Sequence, residues 1–340
     1  FVGDVARGFV TEQQPLYALL KPFYLNGFLG VQAFWCLSGF IFFWKYAQPL
    51  AQGQVPARRF AVLRFSRLYP LHLLTLLTVA AIAPFYRAQV GEDYVYPAND
   101  AAQFGLQLLM ASDWAWRGWS FNGPIWSISI EILVYALFFA LSRLGWTRWW
   151  QVVAMIGGSG VVYALKLTDH PLVLCVFFFY LGALTHLAHE ALLVQPAGRQ
   201  RAAHAASAVL LLAGTVLVST GLLRPMFYVA LLTPLATLLL LDWVQPRSAR
   251  VAGWIALLGN TTYASYLLHF PLQLAVATLV AGQPGRLPLH HPAWLIGFLV
   301  VVFVLAALVY RYVEVPAQAW LRQRLGADAR PAALPGARSA

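Results

Sequence analysis

Charge is what this sequence has least of. Only 10% of its 340 residues are Asp, Glu, Lys or Arg, against about 25% in a soluble globular domain. Lysine appears only at Lys21, Lys45 and Lys166. That scarcity excludes an ordinary water-facing surface and, with the apolar content below, intrinsic disorder. Cysteine is nearly absent too. Cys36 and Cys175 both lie in apolar runs, with neither the pattern of a disulfide framework nor the spacing of a zinc or redox site, and they read as small buried hydrophobes. No soluble second domain, short-period repeat or long linker is apparent, and no signal-like run precedes the first apolar segment.

What is present is apolar. Hydrophobic residues make up 60% of the chain and the mean hydropathy is +0.66. A bilayer crossing takes about 20 residues, so there is material for about nine or ten. The class is an all-α polytopic membrane protein, in contact with a lipid bilayer. Nine windows read as spans: 28–46, 68–88, 124–142, 151–166, 171–189, 205–221, 226–242, 256–281 and 294–312. A weaker stretch, 101–114, carries Gln103, Gln107 and Asp113 and reads as an interfacial helix ahead of the third span. Residues 1–27 are expected to form an extracytoplasmic loop, 28–316 the transmembrane domain and 317–340 a disordered cytoplasmic tail.

A net charge of +11 would point to nucleic acid in a soluble chain. Here the basic residues occupy short loops, so no nucleic-acid partner is expected. Sixteen of the 23 Lys and Arg residues fall in one alternating set of loops, from Lys45 and Arg58 through Arg143, Arg199 and Arg247 to the C-terminus. The positive-inside rule makes that set, and the C-terminus, cytoplasmic. Nine spans then put residue 1 outside. Because the chain starts at Phe1, the expectation is a truncated sequence with one further spanning helix upstream, ten in all. The excess of Arg over Lys is the usage of a GC-rich bacterial genome, hence a bacterial inner membrane.

Ionisable groups inside spans cost about 2.5–3.5 kcal/mol each and ask for a reason. Glu131, in WSISIEILVY, has no basic residue within a turn and needs a distant partner, so it reads as functional. His269 is balanced between a structural and a functional role. His72 reads as a hydrogen bond to a neighbouring helix. His186 and His189, three apart, share a helix face, but without a third ligand no metal site is expected. His290 and His291 occupy a polar loop and carry no signal. Arg64 and Arg67, also three apart, either anchor the chain at the interface or form a fork for phosphate oxygens. The run Gly157-Gly158-Ser159-Gly160 is similar to the Gly-x-Ser-Gly of rhomboid proteases, yet a glycine-rich stretch in a membrane helix more often serves close packing.

Five segments occur together in a recognisable order. Residues 30–40, GVQAFWCLSGF, resemble "G-V-x-x-F-F-x-L-S-G-F"; residues 60–70, FAVLRFSRLYP, resemble "F-x-x-x-R-x-x-R-[IL]-Y-P"; residues 122–131, NGPIWSISIE, resemble "N-x-P-x-W-S-L-S-V-E". Residues 263–271, YASYLLHFP, are similar to "Y-S-x-Y-L-x-H-x-P", and residues 310–316, YRYVEVP, to "Y-x-x-[IV]-E-x-P". Each is weak alone, but together they resemble the membrane acyltransferase-3 family over most of the chain.

The resemblance implies a ten-helix enzyme that moves an acyl group, commonly acetyl, from cytoplasmic acyl-CoA to a hydroxyl of an extracytoplasmic or lipid-linked glycan, as in lipopolysaccharide or other polysaccharide O-acetylation. It implies that Arg64, Arg67 and Tyr69 contact the donor, that Ser38, Trp126, Ser127 and Tyr266 line the substrate cavity, and that Glu131 and His269 serve catalysis. It also implies a basic residue and a catalytic histidine on the first helix. Nothing before residue 28 fits that helix, so the principal histidine is expected upstream of residue 1, with Glu131 orienting it and stabilising its charge. Two other readings remain open. One is a glycan or lipid transporter using Glu131 and His269 as a proton relay. The other is a rhomboid-like protease pairing Ser159 with His269.

Overall fold

A computed structural model describes residues 11–115, 118–243, 248–281 and 288–327. Among them there is no strand, as the unbroken apolar composition requires: inside a bilayer a helix satisfies every backbone polar group within itself. After a short turn at Thr11–Gln13, helix α1 runs over Tyr17–Asn26 and α2 over Gly30–Phe42. A π-helical turn, Phe43–Ala47, and a last helical turn, Gln48–Ala51, complete α2. Then follow α3 (Ala57–Val90), α4 (Ala101–Leu108), α5 (Ile125–Arg143), α6 (Trp149–Ala164), α7 (Leu172–Leu193), α8 (Ala197–Ser219), α9 (Pro225–Trp243), α10 (Ala249–Leu279) and α11 (Pro292–Val309). A second π-helical turn, Tyr310–Glu314, leads into α12 (Val315–Arg324).

Local chemistry sets the ends. The α3 helix stops at Gly91, whose φ of +89° is open to glycine without a Cβ penalty. The Asp100 carboxylate caps α4 by accepting the Gln103 N–H, and the Ser248 hydroxyl caps α10 by accepting the Val251 N–H.

Six of the helical stretches are long and apolar enough to cross a membrane, where nine spans were expected. The three others are helical over their expected windows. However, α6 has 16 residues, about 24 Å, whereas α9, with 19 residues, is as long as α5. The α10 helix is long but carries Asn260, Thr261, Thr262, Ser265 and His269 on its inner course. Residues Tyr17–Asn26, expected within a loop, form a helix that continues towards α2, and α12 carries helix into the tail expected to be disordered, of which 328–340 lie outside the described residues.

The centre of the fold is the contact of α2 with α7. A Cβ on Gly39 would strike the Phe179 carbonyl, and one on Gly182 would strike the Cys36 carbonyl, so the two glycines seat each helix on the other's backbone. Around this contact Phe42, Phe43, Phe138, Phe178, Phe179 and Tyr180 are buried. The glycines singled out in the sequence behave differently. Gly157 and Gly158 face open space and Gly160 makes only an ordinary contact with Phe177, so this run is not the packing motif. Apolar side chains such as Leu210, Val300 and Phe303 remain exposed on α8 and α11, where lipid would cover them.

Two kinds of glycine substitution should therefore separate. Gly39→Ala and Gly182→Ala are expected to destabilise the protein by at least about 1–3 kcal/mol through backbone overlap. Gly157→Ala and Gly158→Ala should stabilise by about 0.5–1 kcal/mol. Unfolding titrations of the purified protein measure the difference.

Candidate active site

On α3, Arg64 and Arg67 project from one face but have different surroundings. The Arg64 guanidinium lies 4.9 Å from the ring centroids of both Phe42 and Tyr46, and its Nη2 donates to the Tyr46 hydroxyl at 2.6 Å. Flat contact with two aromatic faces holds it without neutralising it. Phe42 itself stacks on Tyr135 at 4.3 Å. Lys45 lies in the field of both guanidiniums, and both it and Tyr46 belong to the π-helical turn after α2. Such turns often occur where function places a side chain out of regular register.

Arg67 is committed elsewhere. It forms an ion pair with Glu314, its Nη2 donates to the Asn260 carbonyl at 3.5 Å, and it lies 5.6 Å from the Tyr263 ring centroid. Glu314 is fully buried, whereas the Arg67 side chain is 29% exposed. The same Glu314 oxygen accepts from Gln318 Nε2 at 3.0 Å. Gln318 Oε1 accepts from Arg322 at 3.0 Å, and Arg322 Nε donates to Ser66 Oγ at 3.2 Å. The loop closes on α3, one residue before Arg67. The structure does not bring Tyr69 to the guanidiniums; its ring stacks on Phe65 at 4.4 Å.

Glu131 sits on α5, half-buried, with Oε1 lacking a hydrogen-bond partner. Ser38 of α2 and Tyr135, one turn further along α5, face it, and Arg64 is the cation whose field reaches it. Tyr263 lies within electrostatic reach of Arg67, Glu314 and Glu131 together.

The start of α5 meets α10 at a second cluster. The Ser127 and Tyr266 hydroxyls are 2.9 Å apart, and each donates to the Pro124 carbonyl, at 3.1 and 3.0 Å. Asn122 Nδ2 donates to the Leu267 carbonyl at 3.1 Å, and Gly123 lets the Tyr96 ring lie against the backbone. Trp126 meets Trp35 edge-on at 5.8 Å, and Phe34 and Tyr266 are 6.0 Å apart. His269 Nδ1 is 2.5 Å from the Tyr266 carbonyl. A carbonyl only accepts, so Nδ1 carries the proton, and in a neutral ring Nε2 keeps its lone pair. Among the described residues no hydrogen bond joins His269 to Glu131.

Other sequence readings resolve locally. His72 is fully buried, with Nε2 2.6 Å from the Gln107 carbonyl at the end of α4, a structural link of the expected kind. His186 and His189 contact the Phe40 ring edge-on, at 5.4 and 6.4 Å. The Ser159 hydroxyl donates back to the Met155 and Ile156 carbonyls of its own helix, which suits a helix interior and not a protease nucleophile. Sequence reasoning missed Tyr46, Tyr135 and the role of Glu314. For Glu314 the signal was present, in the closing motif; for the two tyrosines there was none.

An all-helical membrane protein with paired charges and unpartnered carboxylate oxygen in its interior is built for chemistry within the bilayer. The chain belongs to the acyltransferase-domain family, whose model matches residues 5–311. It is 27% identical over 355 aligned residues to an acyltransferase, MdmB, of Streptomyces mycarofaciens, covering 93% of this chain and 87% of the relative. A 56-residue stretch is 39% identical to protein 2 of the picA locus in Rhizobium radiobacter, covering 16% of this chain and 29% of that protein. No solved structure matches. The protein is thus a membrane-bound O-acyltransferase.

Removing Arg67 strands the buried Glu314, whereas removing the Glu314 charge leaves a guanidinium that water still reaches. Arg67→Ala should therefore cost about 3–5 kcal/mol and Glu314→Gln about 1–3 kcal/mol, measured by unfolding. In the loop ahead of α5, Asp113 donates its N–H to Ser129 Oγ and accepts from the Ser112 hydroxyl. Burial raises its carboxyl above the ordinary value, opposed by that hydroxyl and by His170. A raised folded-state value means that the native state holds the proton where the unfolded chain has lost it, so stability falls as pH rises through that window. Asp113→Asn should stabilise the protein at pH 7, and the gain should shrink as the pH is lowered towards the carboxylate range.

Proposed function

We propose that this enzyme transfers an acyl group, acetyl in the first instance, from cytoplasmic acyl-CoA to a hydroxyl of an extracytoplasmic or lipid-linked glycan. In this reading it lies in a bacterial inner membrane with its C-terminus cytoplasmic. The observation that carries the proposal is Arg64, held between Phe42 and Tyr46, in electrostatic reach of the unpartnered Glu131 oxygen. A fixed guanidinium beside Lys45 suits the phosphates of a nucleotide-bearing donor. Arg67, tied to Glu314, positions the helix and adds its field without offering a free fork. Tyr69 faces Phe65 and has no donor contact in this reading.

The donor's thioester arm reaches inward to Glu131 and Ser38. The acceptor enters from the opposite end, past Trp126, Ser127 and Tyr266. A base takes the proton of the acceptor hydroxyl, whose oxygen attacks the thioester carbonyl carbon. The carbon–sulfur bond then breaks, and the CoA thiolate leaves and takes up the proton. His269 Nε2 is the proton acceptor that the described residues offer, its ring oriented by Nδ1 on the Tyr266 carbonyl, and Glu131 supplies negative charge in the same interior. The same buried acid and imidazole would serve a proton-coupled transporter, but membership of an acyltransferase family favours chemistry over transport.

Transfer of radiolabelled acetyl from acetyl-CoA into envelope glycan by membranes carrying the protein tests this. Arg64→Ala should raise KM for acetyl-CoA about tenfold or more with kcat little changed, the signature of lost donor binding. Glu131→Gln and His269→Gln should each lower kcat by about 10²-fold or more. An unchanged KM in Arg64→Ala removes the donor assignment, and label that never reaches glycan removes the acceptor.

A further inference from the structure

A cavity of about 520 Å³ opens between the C-terminal end of α6 and the N-terminal ends of α7 and α9, and none of the site's residues lines it. Its floor is apolar, with Phe177 and Phe227 along it, and its rim carries Lys166, Arg224, Asp169 and His170. Leu165 and Leu167, flanking Lys166, are 64% and 66% exposed, as expected where a helix meets lipid. The rim therefore lies at the boundary between an apolar and a polar medium.

Two features mark the cations as placed. Lys166 and Arg224 come from different loops, after α6 and before α9, and the fold brings these two to one cavity. Lys166 also has φ +51°, closing α6 with its N–H on the Tyr163 carbonyl and the Leu167 N–H on the Val162 carbonyl. That left-handed position favours Gly or Asn, and a lysine is strained there. His170 accepts the Leu172 N–H through Nδ1 at 3.2 Å, which fixes the ring at the start of α7. One acid, Asp169, stands against the two cations, leaving the rim net positive. An anion with an apolar tail matches both parts of the cavity, and a zwitterion or a bare anion matches only one.

We infer that this cavity binds an anionic phospholipid of the surrounding bilayer, with its phosphate between Lys166 and Arg224 and an acyl chain along Phe177 and Phe227. The inference does not depend on the donor or acceptor assigned above. The test titrates delipidated, detergent-solubilised protein with dioleoyl phosphatidylglycerol and dioleoyl phosphatidylcholine and reads bound lipid by native mass spectrometry.

Phosphatidylglycerol should bind about tenfold tighter, the effect of one well-placed charge contact. Lys166→Asn together with Arg224→Gln should bring the two lipids to within about twofold of each other. Lys166→Asn alone should raise the unfolding temperature of the lipid-free protein, because Asn accepts the left-handed backbone, while weakening phosphatidylglycerol several-fold. A lysine that served only the turn would not give that opposition. Gly160→Leu, which keeps both cations and fills the floor, should weaken both lipids alike. Arg143→Gln with Arg148→Gln, an equal charge loss elsewhere, should leave the preference intact. Equal binding of both lipids by the unaltered protein overturns the proposal, as does a preference that survives in Lys166→Asn/Arg224→Gln or lipid binding unaffected by Gly160→Leu. Displacement of phosphatidylglycerol by millimolar inorganic phosphate would assign the cations to a free anion and also overturn it.

Discussion

A carboxylate with no exposed surface inside a membrane bundle has to be matched by a cation, and Glu314 is matched by Arg67. The match joins segments 247 residues apart and extends through Gln318 and Arg322 back to Ser66. Stranding the buried carboxylate would cost several kcal/mol, whereas the closed loop leaves the arginine and one carboxylate oxygen satisfied. This ring therefore sets how α3, α10 and the end of the chain sit together. The Tyr263 hydroxyl, donating to the Leu68 carbonyl at 2.7 Å, fastens α10 to the same turn of α3.

With that side fixed, the rest of the interior is arranged by close approach. Gly39 and Gly182 bring α2 and α7 into backbone contact, and this carries Phe42 and the π-helical turn bearing Tyr46 to Arg64. Where lipid offers no hydrophobic advantage over a neighbouring helix, small residues and interhelical hydrogen bonds select the partners. Both π-helical turns fall beside the arginines: Phe43–Ala47 beside Arg64 and Tyr310–Glu314 beside Arg67. Both π-helical turns among the described residues thus lie where interior charges are held.

The resulting interior is graded. Cations gather near the start of α3, the Ser127, Tyr266 and His269 cluster lies at the start of α5, and Glu131 stands between them. In the proposed reaction, donor and acceptor would each meet one end of that gradient and be selected by its chemistry.

The class was legible in composition alone, since membrane insertion responds to hydropathy averaged over a local window. The windows also located most of the helices, though not Tyr17–Asn26 or Val315–Arg324, and the five motifs named the family and singled out Arg64, Glu131, Ser127, Tyr266 and His269. Partnership was not legible. Arg64 and Arg67 have identical chemistry and helical spacing, yet one rests on aromatic rings and the other is neutralised by Glu314. Tyr69 sits two residues beyond Arg67 and turns to Phe65. The glycines with the strongest pattern, Gly157 and Gly158, touch nothing, while the isolated Gly39 and Gly182 hold the core. Spacing along one helix says which side chains share a face; it does not say what faces them. That depends on the rotation and contact of helices far apart in sequence, which only the packed tertiary structure decides.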